Sequence, residues 1–192
     1  MRKRAFRLSL VVVILALATG DATILVSQSG ATDRGAQRVR RLSASEGAFL
    51  LPRIVRARHE TWRWQALMGV QLTPSARAAE RNPSLAFRSW IWHLWLRRAK
   101  RSAHRAHHPP RLRAWLCIHR YEGAWSDPNP PYFGGLQMDI GFQRMYGGDL
   151  LLRKGTADHW SPLEQIWVAE RAYRSGRGFY PWPKTARYCG LI

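Results

Sequence analysis

Trp115 to Gly135 reads W-L-C-I-H-R-Y-E-G-A-W-S-D-P-N-P-P-Y-F-G-G. Leu112, Trp115, Leu116 and Ile118 give one apolar face, which predicts a helix with Glu122 at or just past its C-terminal end. Tyr121, Trp125, Tyr132 and Phe133 flank that single carboxylate. Asp127-Pro128-Asn129-Pro130-Pro131 excludes a helix and predicts a turn or extended loop, and Gly134-Gly135-Leu136-Gln137 follows. Aromatic walls desolvate a carboxyl group and disfavour its charged form. Glycoside cleavage needs a group of that kind, one able to donate a proton to a leaving oxygen near neutral pH. The plainer reading is a Glu122 that faces water at a helix end beside Arg120.

Outward from this stretch, 192 residues leave room for one modest domain with appendages. A net charge of +19 draws the chain to polyanions, among them nucleic acid, anionic lipid and anionic wall polymer. Met1 to Arg7 is basic, Leu8 to Ala18 is an apolar run, and Ala16-Leu17-Ala18 offers a small-x-small cleavage pattern. Asp21 interrupts before a second apolar burst, Ala22 to Val26. Residues 1–26 are therefore expected to be a signal peptide or a membrane anchor, placing the rest outside the cytoplasm, secreted or bound to the envelope. In an oxidising compartment the two cysteines, Cys117 and Cys189, read as one disulfide, with two isolated buried thiols as the alternative. Residues 27–43 hold few apolar and many small or charged side chains, which predicts a disordered linker.

Residues 44–110 form a basic, tryptophan-rich region. Ala44 to Val70 and Ser75 to Ala106 are expected to be helical, broken at Thr73-Pro74 and Asn82-Pro83. Leu85, Trp90, Ile91, Leu94 and Trp95 recur at helical spacing, and no acidic residue occurs from Arg81 to Tyr121. Such a helix either lies on an anionic surface or packs its tryptophans inward and leaves a solvated basic face. His104, His107, His108 and His119 fit no metal-binding pattern and predict a polar hinge; neither metal nor cofactor is expected. By contrast, seven of the twelve acids (Glu122, Asp127, Asp139, Asp149, Asp158, Glu164 and Glu170) lie in residues 111–192.

In that C-terminal part, Asp139 to Tyr146 predicts a short helix stopped by Gly147-Gly148. Ser161-Pro162-Leu163-Glu164 is a capping box with proline at the first helical position, and Gly176 is a natural terminator. Leu163, Ile166, Ala169 and Tyr173 mark the inner face, so Glu164 and Glu170 read as scaffold.

Glu122-Gly123-x-Trp125, Gly134-Gly135-Leu136-Gln137, Gly147-Gly148, Glu164-Gln165-Ile166-x-Val168-Ala169-Glu170, Trp182-Pro183 and Cys189-Gly190 stand in this order. In order and spacing they resemble the resuscitation-promoting-factor or transglycosylase-like domain, a small relative of lysozyme in exported wall enzymes. The resemblance spans Trp115 to Gly190 and says nothing of the basic arm. It implies a mainly α chain whose residues 111–192 form a small lysozyme-like domain with a groove for peptidoglycan. Glu122 would be the general acid on the β-1,4 bond between N-acetylmuramic acid and N-acetylglucosamine. Gln137 would hydrogen-bond sugar groups, Trp125, Tyr132 and Trp182 would offer ring faces, and Gly134 and Gly135 would let the backbone approach the ligand.

The second carboxylate is open, with Asp127 and Asp139 nearest in sequence. Paired carboxyls would give a muramidase. A single acid would leave the sugar's own 6-hydroxyl to attack, as in a lytic transglycosylase. The rival readings are a non-catalytic wall-binding module and a nucleic-acid-binding protein. Nucleic acid is not expected as a partner, because no known binding motif is evident and the export signal opposes it. The basic arm is expected to meet anionic wall polymer or a membrane surface.

Overall fold

The protein is described by a computed structural model that covers residues 29–192. It is mainly helical, as expected, with seven α-helices and one two-stranded sheet among the described residues. The expected signal or anchor segment, 1–26, lies outside the described residues. No helix among those described is long and apolar enough to cross a membrane. The chain divides into two compact units, Met1–Arg41 and Leu42–Ile192, and all packing that follows lies within the second.

Helix α1 spans Ser29–Met68, so most of the stretch expected to be an irregular linker is helical instead. Ala31, Ala36, Gln37, Arg38, Arg40, Arg41 and Leu42 are good helix formers, and their intrinsic propensity outweighs the low apolar content of the stretch. Gly69, at φ 61°, ends the helix, with the Val70 amide donating to the Gln65 carbonyl at 3.1 Å. The chain then returns through a short helix α2, Arg77–Glu80, and enters α3, Leu85–His107, capped by the Ser84 hydroxyl.

The return segment makes α1 and α3 run side by side in the same direction. Leu50 shares a depression with Ala86, Arg53 lies over the Trp92 ring at 5.3 Å, Trp62 meets Trp95, and Trp64 meets His107. Gln65 clamps Thr73 by two hydrogen bonds, and the Trp62 indole donates to the Thr73 carbonyl at 2.8 Å. Arg58 and Glu80 form a buried ion pair across the same segment. Ile91, Trp95, Ala99, Ser102 and Ala106 are the buried stripe of α3. The tryptophans thus divide: Trp95 packs inward and Trp90 is 53% exposed.

Residues 112–192 build a second core. Helix α4 spans Leu112–Glu122; strands β1, Tyr132–Phe133, and β2, Met138–Asp139, pair antiparallel, Tyr132 opposite Asp139. Helix α5 spans Ile140–Lys154, α6 Pro162–Ala172 and α7 Pro183–Tyr188. Trp115, Ile118, Leu136, Met138, Phe142, Ile166, Val168 and Trp182 meet in one cluster. The two cores are joined where Met68, Ala106 and Trp167 pack together. There the Trp167 indole donates to the Ala106 carbonyl at 2.7 Å, and the Arg171 guanidinium donates to the carbonyls of Ala66 and Leu67.

One glycine reading changes, at Gly147. Gly147 does not stop a helix: α5 continues through it with a local kink at φ −131°, ψ 22°. The reason for glycine is close packing, since a Cβ there would lie 2.7 Å from Trp160. Gly176, at φ 98°, sits inside a widened turn, Tyr173–Arg177, that follows α6.

Cys117 and Cys189 are bridged, tying α4 to the C-terminus across 72 residues of sequence. Closing such a loop contributes about 4 kcal/mol on the chain-entropy model. The capping box on α6 is formed in both directions. Burial alone would raise the Glu164 pKa, but hydrogen bonds from Lys154 and from the Ser161 amide and hydroxyl outweigh it, and the net shift is downward. A lowered folded-state pKa contributes stability above the unfolded value, near 4.5, that is lost as pH falls through the folded value. Glu164→Gln is therefore expected to destabilise the protein at pH 7 and to do so less at pH about 3, below the unfolded value. Urea unfolding of both proteins at the two pH values measures this difference.

Candidate functional site

Glu122 is the last residue of α4, and three attachments fix that helix. The Trp115 indole donates to Glu170 Oε1 at 2.9 Å, Ile118 is fully buried, and Cys117 is bridged to Cys189. Glu122 itself is half-buried, and Thr185 Oγ1 donates to its Oε1 at 2.7 Å. Thr185 is on α7, one turn beyond Trp182, and its hydroxyl also lies 3.3 Å from the Trp182 carbonyl. The turn after Glu122 runs against Gln137: a Cβ on Gly123 would lie 3.3 Å from Gln137 Nε2 and 3.3 Å from Asp127 Oδ2.

Gln137, held at φ 46°, donates to Asp127 Oδ2 at 2.9 Å and to the Gly134 carbonyl at 3.0 Å. It is one wall of a groove of about 350 Å³ whose other sides include Tyr132, Asp139, Phe142, Arg177 and Trp182. Tyr132 is 48% exposed and presents its ring there. Asp139 caps α5, with Oδ1 accepting from the Phe142 amide at 2.7 Å, and also lines the groove. Asp127 has both oxygens engaged: Oδ2 by Gln137, and Oδ1 by the backbone and side-chain amides of Asn129.

Four of the expected contact residues pack wholly or partly inward. Trp182 is only 4% exposed; its indole donates to the Leu136 carbonyl at 2.6 Å and its ring packs edge-on against Trp115 and Phe142. It is a core residue whose edge reaches the groove, because burying so large a ring outweighs leaving it open as a platform. Trp125 is half-buried with one face stacked on His119 at 3.9 Å. Gly135 and Gly134 face the protein interior: a Cβ on Gly135 would meet His119 and Trp125, and one on Gly134 would meet Gln165. Their small size serves this packing.

Gln165, Thr185 and Arg177 have no role assigned from the sequence, and His119, expected in a polar hinge, instead lies within α4 and stacks on Trp125. Gln165 is fully buried and its amide ties the loops together, accepting from the Gly135 amide and donating to the carbonyls of Trp125, Ala157 and Trp160. His119 Nδ1 lies 3.0 Å from the Gly135 carbonyl. A polar residue among Leu163, Ile166 and Val168 on the inner side of α6 was the available signal for Gln165; nothing local marked Thr185. Among the described residues no group of three or more His, Cys, Asp or Glu side chains is arranged to hold a metal ion. The chain matches no family model, no curated protein and no solved structure.

Proposed function

We propose that the protein is an exported peptidoglycan-cleaving glycosidase that acts on the β-1,4 bond between N-acetylmuramic acid and N-acetylglucosamine, with a lysozyme-like fold in residues 111–192. The observation that carries this reading is the half-buried Glu122, held by Thr185 and one residue from the turn that meets Gln137 in the groove. Glu122 donates its proton to the leaving O4 as the bond from C1 breaks. Gln137 and Tyr132 hold the sugars beside it. A role as a mere wall-binding module is less well supported, because Glu122 is not fully exposed and no residue from 44–110 lines the groove.

Of the two product classes, the engagement of both Asp127 oxygens favours the lytic route. The sugar's 6-hydroxyl attacks C1, the Glu122 carboxylate takes its proton, and a 1,6-anhydro sugar results. Asp139 is the carboxylate available to a hydrolytic route, since it lines the groove. Release of soluble muropeptides from purified peptidoglycan tests the proposal; binding of the polymer without any release would favour the wall-binding module.

Thr185 is a positioning residue in this account. Thr185→Val removes the hydroxyl that orients Glu122 Oε1 and is expected to lower kcat about tenfold with KM little changed. Thr185→Ser should restore most of the rate, because it returns the donor. A loss of stability without a kcat effect would assign Thr185 to packing alone.

A further inference from the structure

The outward face of α3 forms an exposed stripe free of acidic residues. Helical spacing puts Phe87, Trp90, His93, Arg97, Arg101 and Arg105 on one side, and all six are exposed. They stand opposite the buried stripe that begins at Ile91. No carboxylate interrupts them, because the sequence has none between Glu80 and Glu122. The two ends of the stripe differ. Toward the C-terminus it is cationic. At the N-terminus it is aromatic: the Phe87 and Trp90 rings lie 5.7 Å apart, tilted by 33°, while remaining 36% and 53% exposed.

Helix α1 enlarges that aromatic end. Phe49 is 67% exposed, and with Leu50, Leu85 and Ala86 it lines an open depression of about 470 Å³ bordered by Arg53. The other end of α3 is covered, because Ala106 is buried under Trp167. The apolar patch therefore lies at the N-terminal end of α3, beside the middle of α1 and remote from the C-terminal core.

We infer that this face of α3, with the aromatic patch formed by Phe49, Phe87 and Trp90, docks on an anionic lipid bilayer. The cationic stripe supplies charge complementarity to the headgroups, the Trp90 indole suits the headgroup level, and the phenylalanine rings add apolar area to bury at the acyl boundary. A soluble polyanion would be met by the cations alone and leaves the three exposed rings unexplained. This inference does not depend on the reading of the groove.

The full chain and its variants, mixed with vesicles of phosphatidylcholine alone or with phosphatidylglycerol added, provide the test. The N-terminal apolar segment is common to all proteins, so differences between variants report the α3 face. Wild type is expected to bind the anionic vesicles more tightly, and Arg97→Glu with Arg101→Glu to weaken that binding about tenfold or more. Phe87→Ser with Trp90→Ser is expected to weaken it comparably while the circular dichroism spectrum stays unchanged. Brominated acyl chains should quench wild-type fluorescence more than that of Trp90→Phe, which still binds. Unchanged vesicle binding in both double variants, or equal quenching with and without Trp90, would overturn the inference. So would loss of binding to a soluble poly(glycerol phosphate) in the charge variant with lipid binding intact, which would assign the face to a wall polymer.

Discussion

Glu122→Gln is expected to reduce glycan cleavage about a thousandfold while leaving the fold intact. The amide has the shape of the carboxyl group but no proton of the required acidity, so protonation of the leaving oxygen is lost. The fold should tolerate the change, because the Thr185 hydroxyl can donate to an amide oxygen as it does to Glu122 Oε1 at 2.7 Å. Affinity for undigested peptidoglycan should also persist, since Gln137 and Tyr132, which line the groove, are untouched. Initial rates of muropeptide release, together with a polymer pull-down and thermal unfolding, separate these effects. A variant that retained more than about a tenth of the rate would place the acid elsewhere.

Glu170→Ala is expected to destabilise the protein by about 3–5 kcal/mol. Glu170 is fully buried and accepts three hydrogen bonds: from the Arg111 amide at 3.0 Å, Arg111 Nη1 at 2.7 Å and the Trp115 indole at 2.9 Å. Its removal leaves a fully buried indole N–H and a partly buried guanidinium without their acceptor, and opens a cavity beside them. Arg111 retains its stacking over the Tyr173 ring at 3.5 Å and some access to water, which sets the loss toward the lower end of the range. Because Trp115 anchors α4, the position of Glu122 should loosen as well. Glu170→Gln keeps one acceptor and should cost less. Urea unfolding measures the loss, and a change below about 1 kcal/mol would show that the network is dispensable.

The helical segments were legible where local signals act alone. The capping box at Ser161, the apolar stripe of α4 and the breaks at Thr73-Pro74 and Asn82-Pro83 each match an element boundary closely. The pairing of Cys117 with Cys189 was legible from parity. What the sequence did not disclose depends on contacts between distant residues. Gly147 reads as a terminator until Trp160, thirteen residues on, is found against it. Trp182 reads as an exposed ring until Leu136 and Phe142 close over it. Residues 29–43 read as a linker because low apolar content was weighed above helix propensity. Of the residues marked in the sequence, Gln137 and Tyr132 line the groove, whereas Glu122 is not among its lining residues and is linked to it through Gly123, where a Cβ would lie 3.3 Å from Gln137 Nε2. Thr185 was not marked, because only the fold brings it to a glutamate 63 positions earlier.

The most direct test of glycan cleavage by Glu122 is mass spectrometry of the fragment ends released from purified peptidoglycan by the wild type and by Glu122→Gln in parallel. The account expects 1,6-anhydro ends, one water lighter than reducing ends, from the wild type and none from the variant. Reducing ends would keep the glycosidase and turn attention to Asp139 as the second carboxylate. Absence of released fragments from the wild type, with the polymer still bound, would contradict the account.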